Sequence, residues 1–173
     1  MDYASDLLGV NSEQAFRFFF GYLQNEVATK RVAKKETTYV AGVLAHYAQT
    51  SRSNPNFMVP SGSLYEILDN FVLPAMTPEG ALGLQDAEIL EVAGSQTLLL
   101  VGFFRDQMKK KHSLKWYDSL GQSFFVRASA NSNQEEKAEL LWAISEHFPF
   151  WAASCRNMSR TLRDERYLLR LDS

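Results

Sequence analysis

The chain has one cysteine, three histidines and five prolines among its 173 residues. A lone thiol, Cys155, excludes an intrachain disulfide and fits a reducing compartment. The three histidines, His46, His112 and His147, include no Glu-x-x-His spacing, so the paired ligands of a di-iron bundle are missing. With a single cysteine beside them they form no zinc set either, and no metal or cofactor is expected. A phosphate loop is absent too, because Gly80 and Gly83 lack the lysine and the preceding strand that such loops need. Neither sign of charge dominates, with 18 Lys and Arg against 20 Asp and Glu. A net charge of −2 gives no general attraction to nucleic acid or anionic membranes. Asp2 and Asp6 stand where a secretory signal would carry basic residues, which makes the cytoplasm the expected location.

What the chain does have is apolar mass: 46% hydrophobic and 13% aromatic residues, enough at this length for one well-filled core. One domain over 1–173 is expected, with 1–10 as a lead-in. Its organising stretch is 92–104, where no charge falls between Glu91 and Arg105. Wound at about 100° per residue, Leu98, Leu99, Leu100, Phe103 and Phe104 leave no polar side. The run is shorter than the roughly 20 residues a bilayer requires, which points to a buried helix rather than a membrane span. The spacing predicts an all-α fold, a single compact bundle of six or seven helices around a central helix over 86–111.

Caps and breakers divide the rest. Asn11 with Gln14 makes a capping box for a first helix whose apolar side is Phe16, Phe20, Leu23 and Val27. Lys30, Arg31, Lys34 and Lys35 follow it and are expected to complement the negative end of its dipole. A second helix over 37–49 presents Tyr39, Val40, Val43, Leu44 and Tyr47, with His46 among them. Residues 50–62 break the pattern around Pro55 and Pro60, yet hold the apolar triplet Phe57, Met58 and Val59. Ser63 and Glu66 open a short helix that Pro74 ends, and a connector leads to Asp86 and Glu88 at the head of the central helix. Ser113 caps a fifth helix and Asn133 a sixth. Pro149 must end or kink the sixth, giving a seventh from about 150 to 169. No segment reads as a strand.

Gly21, Gly42, Gly94, Gly102 and Gly121 all fall inside these helices, at about 1 kcal/mol each relative to alanine. Close helix crossings, which a missing Cβ permits, are the expected offset. Gly121 is placed to face Gly94 or Gly102.

The run Gly94-Ser95-Gln96-Thr97-Leu98 into Gly102-Phe103-Phe104, then Trp116-Tyr117, Gly121 and Phe124-Phe125, resembles a family of uncharacterised all-helical bacterial proteins. The likeness covers roughly residues 90–126. Ser95 stands where that family usually has an aspartate, and Phe125 where it has a tyrosine. The resemblance implies a fold and a bacterial origin, and no activity.

No catalytic constellation emerges. Cys155 and His147 could be paired as nucleophile and base, but Cys155 falls on the apolar side of its helix and reads as an inert core thiol. On the last helix Arg156, Arg160, Arg163 and Arg170 share one side with Tyr167. Four arginines in a row suit carboxylates or phosphates through their planar fork. Their charge reversal is expected to leave the fold intact, as at exposed sites. The leading functional reading is therefore a non-catalytic interaction or regulatory domain. It would bind an acidic protein partner, or self-associate, through Arg156, Arg160, Arg163, Tyr167 and Arg170 or through Phe57 and Met58. The alternative is a small-ligand-binding protein or enzyme with an aromatic-lined pocket between helices near His46 or His147. Nucleic-acid binding ranks third. A cavity with convergent polar groups would favour the ligand reading, and a filled interior the interaction reading.

Overall fold

Apolar spacing, a few caps and one proline set the boundaries of an all-helical architecture. The structure, a computed structural model, describes residues 12–53, 86–108 and 114–164, and no strand occurs among them. Helix α1 spans Ser12–Val27 and α2 Lys34–Ser53. Helix α3 spans Ala87–Leu98 and passes into a wider π-helical turn over Leu99–Phe103, after which the four-residue α4 covers Arg105–Met108. Helices α5, Leu114–Asn131, α6, Glu135–Glu146, and α7, Phe148–Asp164, complete the described chain. The lead-in, the Phe57–Met58–Val59 triplet, the short helix opened by Ser63 and the connector before Asp86 lie outside the described residues.

The start of α3 is the expected one. Asp86 caps it, accepting from the backbone N–H groups of Glu88 at 2.9 Å and Ile89 at 3.2 Å. Elsewhere the boundaries move. The α2 helix begins at Lys34, so Lys34 and Lys35 sit in its first turn rather than at the negative end of α1. Glu36 makes that start possible by accepting the Ala33 N–H at 3.3 Å, the return half of a capping box. On α1 the buried line is Ala15, Phe19 and Leu23, while Phe16 and Phe20 are half-buried, a small rotation from the expected side. Helix α6 starts after Gln134, not Asn133, with Ser132 Oγ taking the Gln134 N–H at 3.3 Å. The break before α7 falls at His147, and Pro149 occupies the first turn, where its missing N–H is harmless.

The central helix is the largest departure. Instead of running evenly over 86–111, it widens at Leu99, whose carbonyl accepts from Phe104 N at 2.9 Å, five residues on. The extra residue in that turn shifts the phase of the residues that follow it. Arg105 reaches Asp118 on α5 at 3.1 Å and Asp106 takes two arginines of α7. Nor is 92–104 buried throughout: Val92 is 51% exposed, whereas Leu98 through Phe104 are all under 9%.

Helix α3 packs on α5, α5 on α6, α1 on α2, and the π-turn on α7. Three glycines permit close approaches between helices. A Cβ at Gly94 would lie 3.0 Å from the Phe125 ring, and one at Gly102 would lie 2.8 Å from Cys155 Cβ. At Gly121 it would collide with the Phe148 ring and reach Thr97 Cγ2 at 2.9 Å, so this glycine faces those two side chains rather than another glycine. Gly21 and Gly42 are different. A Cβ at either would meet nothing within 4 Å, so close crossing does not explain them. Among the described residues no helix is long and apolar enough to cross a membrane.

Candidate functional site

Gly42 is the way into the site. It opens one wall of a groove of about 440 Å³ between α2 and α3. From α2 the groove takes Thr38, Tyr39, Gly42, Val43, His46 and Tyr47, which recur at helical spacing along one side. Glu91, Val92, Ser95, Gln96 and Leu99 face them from α3. The volume falls within the range of small-molecule sites, and the walls are largely apolar with a few polar groups gathered at one end.

That polar end is a chain of hydrogen bonds. Tyr39 Oη donates to Glu91 Oε1 at 2.8 Å. Ser95 Oγ lies 3.3 Å from the same phenol oxygen. A phenol has one proton, and a carboxylate can only accept, so Ser95 is the donor in this second bond. Lys137 on α6 closes the chain: its Nζ is 2.9 Å from Glu91 Oε1 and 5.6 Å from the centroid of the Tyr39 ring. Burial first, and then the Glu91 charge, raise the Tyr39 hydroxyl well above its ordinary value of 10.0. Tyr39 is thus held as a neutral phenol and is no base at neutral pH. Next to this chain, Gln96 Oε1 is buried with no hydrogen-bond partner among the described residues. Glu91 also borders a polar cleft on its other side, which it shares with Lys137, Asn131 and Gln134. The ion pair is therefore wetted from that side, while the apolar groove lies on the other.

The residues expected to be functional are scattered. His46 lines the groove and is exposed. His147 does not join it. Its Nδ1 is 2.7 Å from Glu36 Oε1, and Trp151 Nε1 donates to the same oxygen at 3.2 Å. Glu36 is buried at 2% exposure, held between a histidine, an indole and the Ala33 amide. Cys155 is buried against the π-turn, and its thiol is pushed up from 9.0 to about 12 by burial, which leaves no thiolate for a Cys–His pair.

Two arginines of the row, Arg156 and Arg160, are engaged within the fold. Arg156 Nε and Arg160 Nε reach the two oxygens of Asp106 at 3.1 and 3.0 Å. Reversing their charge would set carboxylates against Asp106, so these two positions are not the neutral exposed sites that the sequence suggests. The side chain of Arg163, together with Tyr167, Arg170, Phe57 and Met58, lies outside the described residues. A smaller cleft of about 250 Å³ beside Arg105 and Arg156 offers no ready anion site, because both guanidinium groups already pair with aspartates.

Tyr39, Glu91, Ser95, Gln96 and Lys137 were not singled out by sequence. Tyr39 and Glu91 are 52 residues apart and follow no motif. Two signals were legible: Ser95 and Gln96 are polar intruders in the most apolar run of the chain, and Gly42 is a helical glycine among large residues. The groups gathered here fit binding and orientation, and among the described residues no cluster of His, Cys, Asp or Glu could hold a metal. Comparison of the chain with protein-family models, curated proteins and solved structures finds no match.

Proposed function

We propose that this protein binds a small, mostly apolar molecule in the groove between α2 and α3. The observation that carries the reading is Gly42. A glycine in mid-helix is unfavourable by about 1 kcal/mol relative to alanine. The crossings that offset this at Gly94, Gly102 and Gly121 are missing at Gly42, where the absent side chain instead leaves the groove open. Hydrogen-bonding groups converge at one end of that space, which is the feature that separates a binding site from loose packing.

Titration with the neutral fluorophore N-phenyl-1-naphthylamine tests this. The wild-type protein should enhance its emission saturably. Gly42→Leu, whose Cβ meets no atom and whose branch extends into the groove, should weaken binding at least tenfold without lowering the melting temperature. Equal binding by both proteins would refute the site.

A second reading, docking of a protein partner, draws on Ile89 and Val92, which are 42% and 51% exposed one helical turn apart on α3. Mass spectrometry of the protein purified from its own cell separates the two. A small-molecule adduct supports the ligand reading, and a co-purified chain lost on Ile89→Lys, a site outside the groove lining, supports docking.

A further inference from the structure

We infer that the groove selects neutral molecules bearing a hydrogen-bond donor, of the alcohol or phenol class, over isosteres that lack one. This rests on the ligand reading above and adds the chemistry the groove recognises.

Three of the four hydroxyl residues that line the groove have committed their protons within its walls, those of Tyr39, Ser95 and Thr38. That of Tyr39 goes to Glu91, and that of Ser95 goes to Tyr39 because the phenol proton is spent. That of Thr38 goes to the Lys34 carbonyl at 3.0 Å. The lone pairs remain. Ser95 Oγ still has acceptor capacity, and one residue on, Gln96 lines the groove while its Oε1 is turned away from water without a partner among the described residues, so a hydroxyl meets it once the side-chain amide rotates toward the groove. Each of these two acceptors calls for a donor.

Charge narrows the class. The Glu91 carboxylate is matched by Lys137 Nζ at 2.9 Å, so the pair presents no net charge to the groove. Neither a cation nor an anion would recover there the hydration it loses against Val43, Val92, Leu99 and the Tyr47 ring. A hydroxyl is small, neutral, and able to give its proton to Gln96 or Ser95. Replacing it by a methyl leaves a buried acceptor unpaired, and that asymmetry discriminates between isosteres.

The test is competition against N-phenyl-1-naphthylamine by three probes of one shape: 2-naphthol, 2-methylnaphthalene and 2-naphthoate. The inference expects 2-naphthol to bind about 10- to 100-fold tighter than 2-methylnaphthalene, with the anion weakest. A groove that reads only apolar area would give the opposite order for the first two, because a methyl is the more hydrophobic group. Gln96→Leu should erase the naphthol preference while leaving 2-methylnaphthalene binding in place. Gln96→Glu, which keeps an acceptor, should retain part of the preference.

If the fluorophore binds and the methyl compound equals or beats naphthol, the donor inference falls and the ligand reading stands. If the fluorophore does not bind, or binds equally to Gly42→Leu, the ligand reading itself falls. The wild-type order decides the question even where a Gln96 variant fails to fold.

Discussion

Two alanine substitutions separate a glycine kept for packing from one kept for space. Gly42→Ala and Gly102→Ala remove the same backbone freedom, and each gains about 1 kcal/mol of helix propensity. At Gly42 nothing opposes the gain, because the new Cβ has no neighbour within 4 Å. Net stabilisation of about 1 kcal/mol should follow, raising the melting temperature by roughly 2–4 °C for a domain of this size. At Gly102 the new Cβ would lie 2.8 Å from Cys155 Cβ and 3.1 Å from the Ala152 carbonyl oxygen. Backbone cannot move aside as a flexible side chain can, and overpacking of this kind costs about 1–3 kcal/mol. The propensity gain is cancelled or exceeded, and the melting temperature should hold or fall. Thermal and urea melts of both variants, with Gly21→Ala as an exposed control, measure the difference. If Gly102→Ala stabilises as much as Gly42→Ala, the close approach of the π-turn to α7 is wrong. If Gly42→Ala destabilises, the groove is not open at that position, and the ligand reading loses its main support.

Other consequences are open to direct measurement. Asp106→Asn should weaken the attachment of α4 to α7 by about 1–2 kcal/mol, with an effect that shrinks in high salt because Arg160 is half exposed (49%); an unchanged, salt-independent urea midpoint would show that these contacts contribute nothing. Glu36→Ala should cost at least about 1–3 kcal/mol, since it strands the indole N–H of the fully buried Trp151, and Glu36→Gln should recover much of this through its amide oxygen; equal loss in both would argue against a hydrogen-bonding role. Cys155 stays a thiol to about pH 12 in the folded protein but ionises near 9.0 when exposed. The unfolded chain therefore releases this proton first, so stability should be unaffected below pH 9 and fall by up to about 1.4 kcal/mol per unit between 9 and 12. Tyr39, raised in the same direction, adds to that fall from pH 10.0 upward. Iodoacetamide at pH 8 should leave Cys155 unmodified until urea unfolds the protein.

The all-helical class, the start at Asp86 and the break near Pro149 were legible in sequence because caps, charges and a missing N–H act within one turn. The π-turn was not. No cap or breaker marks it, and the groups that Arg105 and Asp106 meet beyond it, Asp118, Arg156 and Arg160, come from other helices. The pairing of Arg156 and Arg160 was hidden for the same reason: periodicity put them on one side of α7, and only the tertiary fold brings Asp106 to meet them. Of the groove, His46 was anticipated as a pocket residue, whereas Tyr39 read as core because an aromatic at a buried spacing gives no sign of where its hydroxyl ends. Three of the five glycines proved to be crossings. The other two could not be told from them in sequence, since spacing carries no information about what a missing Cβ would touch.

At its polar end the groove meets the core through the Phe125 ring. Gly94 on α3 receives the Phe125 ring of α5, and the same ring meets Tyr39 of α2 edge-on at 6.2 Å. Tyr39 then returns to α3 through Glu91 and Ser95. Helices α2 and α3 are thus held together by a circuit that turns polar where it borders the cavity. To close the groove, α2 would have to slide along α3, and that motion would pull the phenol from Glu91 and leave a partly buried carboxylate short of one donor. Apolar walls alone would collapse to fill such a space, because nothing in dispersion forces resists it. Directional hydrogen bonds do resist it, since they are lost with small displacements. The polar end of the groove therefore has two roles that follow from one geometry: it keeps the walls apart, and it presents the acceptors that a hydroxyl would meet on entering.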